Sequence, residues 1–326
     1  MRSGTIALSV MLIAGIVAAL AIGDVMVSPA DLWRGLWTRE GPGALTLWVI
    51  RGPRVVTAIA VGALLGLSGA LLQSLLRNPL ASPDLLGFNP GAGLAIIAAT
   101  SFGIAWPAPL LAAGGGIAAA VVLVALTWRP GHSTSTLTLI LVGLGVGFTA
   151  AALSSFLILA LPASQALEAQ RWLSGSLAAR SWAQAGQVWA LGAVLAVILA
   201  TQVRSLKLME LGEDLAAGLG LRVERARWGL VMMAVLLAAA AVAAAGPVPF
   251  IALMAAPLGA ALTGARTPAA RLLAAAAAGA AICVLADLVA RAAIPGVQLP
   301  VGVMTGILGA PYLLWRLSRE MERGGL

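Results

Sequence analysis

The chain has 326 residues, of which 61% are hydrophobic and only 10% are charged, and its mean hydropathy is +1.01. Soluble domains are about 45–50% apolar and about 25% charged, so this composition excludes an ordinary soluble protein and predicts an integral membrane protein. The single cysteine excludes a disulfide framework. The net charge is +8, and the basic residues are scattered between apolar runs. This pattern is typical of the positive cytoplasmic loops of a protein in a lipid bilayer, and it does not favour nucleic acid as a partner.

Continuous apolar runs set the predicted architecture. A membrane-spanning helix needs about 20 mainly apolar residues, whereas barrel strands would show short alternating patterns. The sequence therefore predicts an all-α polytopic membrane protein with one transmembrane domain over residues 1–326. About ten spans are predicted, near 4–23, 54–76, 90–106, 108–128, 136–161, 185–203, 227–245, 248–264, 269–293 and 300–317.

The first run has an apolar part longer than that of a secretory signal, so it is interpreted as a retained span. An even number of spans places both termini on one side. Most of the 20 basic residues then lie on the side of the N-terminus, which predicts that both termini are cytoplasmic in a bacterial inner membrane. The first outer segment opposes this bias with Arg34, Arg39, Arg51 and Arg54, and these arginines need another explanation.

The second run carries arginines at both ends. It reads RGPRVVTAIAVGALLGLSGALLQSLLRNPLASPDLLG over 51–87, opening with Arg51 and Arg54 and closing on Arg77, Asn78 and Pro79. Prolines interrupt several later runs and predict kinked or partly re-entrant segments, which survive at membrane depth only where protein packs around them. The prolines concerned are Pro90, Pro107, Pro109, Pro247, Pro249 and Pro257.

No catalytic or cofactor-binding pattern is visible in the predicted spans. The chain has no P-loop, and its one histidine, His132, lies in a polar inner loop. The good intramembrane carboxylate is Asp287, four residues before Arg291 and so on the same helix face. An ion pair that makes Arg291 tolerable and a direct substrate role both remain open. An intramembrane enzyme and a carrier driven by an ion gradient therefore have little support.

The longest charged inner segment, 204–228, contains a predicted short helix within ELGEDLAAGLG. Glu213 and Asp214 favour the N-terminal end of a helix, and Gly220 can terminate it. Leu215 and Leu219 would lie on one face. Such a helix could dock in a groove on a partner, or rest on lipid headgroups.

Five stretches, in this order and spacing, resemble the FecCD family of permease subunits of binding-protein-dependent ABC importers. The segment 204–228 is similar to the coupling loop of that family. The stretches are 51–87, LVGLGVG (141–147), RWLSGSL (171–177), GPVPFIAL (246–253) and ADLVAR…QLPVGVMTGILGAPYLL (286–314). The family carries ferric siderophores, haem and cobalamin.

The resemblance implies a ten-helix permease without catalytic residues, metal or cofactor of its own, since ATP and Mg²⁺ are bound by other subunits. The implied partners are two cytoplasmic ABC ATPases, an extracytoplasmic binding protein and a second permease subunit, in a homodimer or a heterodimer. The implied sites are binding-protein docking at Arg51, Arg54 and Arg291, a cytoplasmic gate at Asn78, Leu80 and Thr136, and ATPase coupling at Gly212, Glu213, Asp214, Ala216, Ala217, Leu219 and Gly220. The alternative for the arginines is anchoring to lipid headgroups.

One stretch departs from the family pattern. Ala256 and Pro257 stand where the family has Pro-His, and Ala260 stands where it usually has Arg. This departure suggests the divergent half of a heterodimer. Among substrates the resemblance favours a ferric siderophore, with haem or cobalamin as alternatives.

Overall fold

The structure, a computed structural model, describes residues 2–23, 25–127, 136–294 and 296–322, and this part of the chain contains helices and no strand. The helices are α1 (Arg2–Ala21), α2 (Pro29–Thr38), α3 (Gly41–Leu45), α4 (Gly52–Leu76), α5 (Phe88–Ser101), α6 (Ala108–Thr127), α7 (Thr136–Leu159), α8 (Ala163–Leu173), α9 (Trp182–Met209), α10 (Glu213–Gly218), α11 (Val223–Ala245), α12 (Ile251–Thr263), α13 (Pro268–Ala292) and α14 (Val301–Glu322). A π-helical turn, Thr46–Ile50, precedes α4.

Local sequence signals explain where several helices begin. Ser181 and Gln184 form a capping box at the start of α9, which satisfies backbone N–H groups that have no partner inside the helix. Thr267 accepts a hydrogen bond from the N–H of Ala270, and Pro268 occupies the first turn of α13. These polar caps hold the helix ends at fixed points along the chain.

The all-α polytopic architecture predicted from the sequence is confirmed. Each predicted span overlaps one of the helices α1, α4, α5, α6, α7, α9, α11, α12, α13 and α14. Within the described ranges, seven helical segments are long and apolar enough to cross a membrane on their own. The total of about ten spans and the cytoplasmic position of both termini stay predictions.

Two of the helices that match predicted spans are too short to cross a bilayer. α5 has 14 residues and α12 has 13, so each covers about 20 Å of the roughly 30 Å of hydrocarbon. Irregular backbone precedes both, at 77–87 and 246–250. The two irregular segments meet where the backbone N–H of Phe250 donates to a carboxylate oxygen of Asp84 (3.3 Å). Protein therefore covers the broken backbone, as the prolines at 247 and 249 predict.

Phe250 holds this junction in an uncommon conformation. Its φ of 67° lies in the left-handed region that side chains other than glycine rarely adopt. Its ring lies against the backbone of α14 at Gly309, where an added Cβ would come within 2.3 Å of the ring. A glycine at 309 is therefore required for α14 to approach α12.

α4 lies at the centre of the bundle and packs against α9, α11, α12 and α13. Of the most apolar 18 residues in the continuous segment Gly41–Leu76, which includes α4, 78% are buried, whereas the share in α1 is 17%. Gly62 and Gly66 allow the backbone of α4 to contact α13 at Gly279 and Ala275. Small residues permit such close contact of helix backbones in membranes, so these glycines serve packing within the subunit.

Apolar side chains remain exposed on α7 and α14. Phe148 and Phe156 on α7 and Ile307 and Leu314 on α14 are all more than half exposed. A surface of this kind requires lipid or another apolar protein surface around it.

Candidate functional site

Polar side chains gather at two opposite ends of α4. One end, called here the arginine end, carries Arg51, Arg54, Arg180 and Arg291. The other, called here the coupling end, carries residues 204–228 together with the turn that follows α4. The 25 residues of α4 separate the two by about 37 Å.

At the arginine end, Arg54 and Asp287 form a buried ion pair. The Nε of Arg54 lies 3.0 Å from both carboxylate oxygens of Asp287, and its Nη2 lies 2.8 Å from Oδ1. Its Nη1 donates to the side-chain oxygen of Gln298 (3.2 Å). This fork geometry is the strong form of the arginine–carboxylate contact, and it joins the first turn of α4 to α13.

Arg291 is the second partner of the same carboxylate. Its Nε lies 3.2 Å from Oδ2 of Asp287, one helical turn earlier in α13. The structure thus contains the Asp287–Arg291 pair that the sequence spacing predicts. The addition of Arg54 to this pair could not be read from the sequence, since 233 residues separate Arg54 from Asp287.

The arginines also hold the end of α1. Arg51 donates to the carbonyl oxygens of Leu20 (2.8 Å) and Ala21 (3.0 Å), and Arg291 donates to that of Ala19 (3.0 Å). The last carbonyl groups of a helix lack partners within it and carry partial negative charge. Guanidinium groups therefore cap α1 at this end.

A cavity of about 300 Å³ opens beside the cluster, and its lining includes Arg51, Arg54, Arg291 and Gln298. Arg180 does not line this cavity, and burial and the charge of Arg54 both lower its pKa. Among the described residues, three guanidinium groups line this cavity, and the carboxylate of Asp287 contacts two of them, those of Arg54 and Arg291.

The predicted docking residues are therefore brought together, but in a buried state. Arg51, Arg54 and Arg291 are 8%, 6% and 7% exposed, and each one bonds within the chain. Their role in docking a partner stays a prediction. Direct contact with a partner would require this end of the bundle to open.

The predicted gate residues follow α4 at the coupling end. Arg77 ends the helix in the left-handed conformation, and the Oδ1 of Asn78 accepts a hydrogen bond from the N–H of Leu80 (2.7 Å). Leu80 is buried. Thr136 begins α7, but its side chain lies outside the described residues, as does His132. The gate stays a prediction, with two of its three side chains placed.

The predicted coupling helix is present as α10. Gly212 precedes it with a φ of 114°, and Gly220 follows it with a φ of 82°, both values that favour glycine. Ala216 is fully buried, whereas Leu215 and Leu219 are 63% and 62% exposed. An exposed apolar face on so short a helix is typical of a docking surface, although its role in coupling stays a prediction.

Three of the quoted stretches meet around Gly175, where an added Cβ would lie 2.3 Å from the carbonyl oxygen of Pro247. The N–H of Ser176 donates to the carbonyl of Ala245 (2.7 Å), and the N–H of Gly302 donates to that of Gly175 (3.1 Å). The loop after α8 therefore binds the end of α11 and the start of α14. Sequence reasoning placed this loop outside the membrane but did not predict α2, α3 or α8.

The residues that depart from the family pattern lie in α12. Pro257 is inside this helix, and the described part of α12 contains no charged residue. In the parts of the chain that the structure describes, no three His, Cys, Asp or Glu side chains are grouped so that they could hold a metal ion.

Comparisons with known proteins agree over nearly the full length. A family model described as the FecCD transport family matches residues 11–319. The ferric enterobactin transport system permease protein of Escherichia coli (strain K12) is 38% identical over 97% of this chain and 95% of its own. The vitamin B12 import system permease protein of Escherichia coli O157:H7 is 34% identical over 96% and 94%. A solved structure described as a metal-chelate type ABC transporter in an inward-facing conformation has a TM-score of 0.80 and 26% identity, over 97% of this chain and 99% of that one.

Proposed function

Because the chain belongs to the FecCD transport family, we propose that it is the permease subunit of an ATP-driven importer. Its cargo is a ferric siderophore-type iron chelate, which it moves into the cytoplasm. The observation that carries the proposal is the 38% identity to a ferric enterobactin permease over 97% of the chain. Similarity to a vitamin B12 permease keeps cobalamin as the alternative cargo, and haem follows from the family alone.

The proposed mechanism assigns no bond-making step to this chain. Two separate ATPase subunits bind ATP and Mg²⁺ and hydrolyse the nucleotide, and the exposed Leu215 of α10 and Leu219 directly after it offer them an apolar surface. A second permease subunit covers the exposed faces of α7 and α14, and the chelate passes between the two subunits. Asn78, Leu80 and Thr136 narrow the pathway at the cytoplasmic side.

The arginine end faces outward in this proposal and receives the binding protein. The described cavity presents more guanidinium groups than carboxylates, so acidic side chains on a partner would be attracted to it. Complementary charge of this kind raises the association rate and fixes orientation more than it raises affinity. Because the three arginines are buried, a partner would first be attracted by the positive potential around them, before any direct contact.

Uptake by the reconstituted complex tests the cargo. The proteoliposomes contain the ATPases and two permease subunits, either two copies of this chain or this chain with its partner. We expect uptake of an iron-loaded siderophore that depends on ATP and on the binding protein. This uptake should exceed that of haem and of cobalamin, measured side by side. Uptake of none of the three, while the complex hydrolyses ATP, would contradict the assigned cargo class. Purification of the native complex also decides between one permease species and two.

Charge removal at Arg54 tests docking. Arg54→Gln keeps a donor for Asp287 but removes one positive charge, so we expect the association rate with the binding protein to fall roughly fivefold at low ionic strength. Surface plasmon resonance on the complex in nanodiscs measures this rate. The control is Arg34→Gln, an exposed arginine of α2 outside the cluster. Equal rates for wild type and both variants would leave Arg54 with a structural role only.

A further inference from the structure

Side chains at the coupling end connect the segment before α10 to the transmembrane helices. The Nη2 of Arg77, directly after α4, donates to the carbonyl of Met209 (3.2 Å). Arg271, in the first turn of α13, forms an ion pair with Glu210. The last residue of α9 and the one that follows it are thus bonded to α4 and to α13.

A third contact fixes α10 itself. Arg227 of α11 forms ion pairs with Glu213, the first residue of α10, and with Glu224 (3.0 Å). The segment that carries the exposed Leu215 and Leu219 is therefore bonded to α4, α11 and α13. Three arginine side chains thus connect α10 and the segment before it to these helices.

α4 and α13 are in close backbone contact between the two ends. An added Cβ at Gly62 would lie 2.2 Å from the carbonyl oxygen of Gly279, and one at Gly279 would lie 2.1 Å from that of Gly62. Backbones in such contact cannot slide past each other without separating, because packed interiors are not continuously deformable. The same two helices meet again at the arginine end, through Arg54 and Asp287.

From these contacts we infer that Arg271 and Glu210 are positioning residues, which hold the coupling segment on the α4–α13 pair so that movement of α10 reaches the arginine end. The inference rests on the proposed function, because it requires an ATPase at α10 and a binding protein at the arginine end. The inference adds a physical connection between the ATPase site and the binding-protein site. The α4–α13 pair carries Arg54 and Asp287 at one end and Arg271, the partner of Glu210, at the other.

The Arg271–Glu210 pair is the contact best suited to a test. Its side chains are 36% and 25% exposed, so both can be changed without burial of a new charge in the core. Reversal of either charge replaces attraction by repulsion, whereas reversal of both restores an opposite-charge pair. If the pair only stabilised the fold, the single variants would lower the amount of intact complex and leave the substrate moved per ATP unchanged.

The experiment measures the amount of substrate moved per ATP hydrolysed by the full complex in proteoliposomes, with iron-loaded siderophore and binding protein supplied. We expect Arg271→Glu and Glu210→Arg each to lower this ratio about tenfold, within the usual range of coupling free energies between sites. The double variant is expected to recover at least half of the wild-type ratio. Arg266→Glu is the matched control, since Arg266 is exposed just before α13, and it should keep the wild-type ratio.

A wild-type ratio in both single variants would overturn the inference, and so would a double variant as impaired as the singles. If a single variant fails to assemble with the ATPases, Arg271→Gln and Glu210→Gln are measured in its place, with a smaller loss expected and with an unchanged ratio counting against the inference. Failure of the wild-type complex to take up any chelate would instead contradict the proposed function, so the two failures are distinguishable.

Discussion

Asp287→Ala is expected to lower the free energy of unfolding by about 3–5 kcal/mol, the usual cost of removing one partner of a buried ion pair. The substitution leaves Arg54 and Arg291 in an environment where each is less than one-tenth exposed, without the carboxylate that both contact. Denaturant unfolding of the purified subunit in detergent, followed by tryptophan fluorescence, measures the change.

The matched control for this substitution is Asp214→Ala. Asp214 is exposed in the first turn of α10, so its removal should cost less than about 1 kcal/mol, the range of a helix-end charge at a surface. Equal losses for the two variants would show that the buried cluster does not stabilise the subunit.

Gly279→Val is expected to destabilise the subunit by at least about 3 kcal/mol, the upper part of the range for overpacked cores. Even the first added carbon would lie 2.1 Å from the carbonyl oxygen of Gly62 and 3.2 Å from the Cα of Gly66, so α4 and α13 would have to separate. The yield of folded, monodisperse protein and the detergent unfolding midpoint both report the loss.

The same substitution at an open position gives the control. An added Cβ at Gly114 in α6 would meet nothing within 4 Å, so Gly114→Val should change the unfolding free energy by no more than about 0.5 kcal/mol. If Gly279→Val were as stable as Gly114→Val, the close approach of α4 and α13 would not be a determinant of the fold.

The long apolar helices could be located from the sequence, because the lipid bilayer requires an apolar run whichever helix packs beside it. The run at 269–293 corresponds to α13 at Pro268–Ala292 within one residue at each end. α2 was missed, since its Trp33 and Trp37 are exposed and only a one-sided pattern marks it. A short helix at an interface leaves no long apolar run.

The site was predictable where it depends on neighbours in sequence. Asp287 and Arg291 lie one helical turn apart, and Gly212 and Gly220 frame α10, so both features follow from local spacing. The predicted docking role of Arg54 stays a prediction, and the contact of its guanidinium with Asp287 was not predicted. That contact depends on how α4 packs against α13, which no local pattern contains.

The pairing of Arg54 with Asp287 also has a consequence during synthesis. The two residues are 233 positions apart, so the ribosome needs roughly 10–50 s to make the second after the first. Over that interval Gly62 of α4 lacks its contact with Gly279, and Arg54 lacks its carboxylate partner. In a chain cut short before α13, the glycine face of α4 would have no helix to pack against and Arg54 would have no carboxylate partner, so we expect α4 to reach its final packing only after α13 has been made.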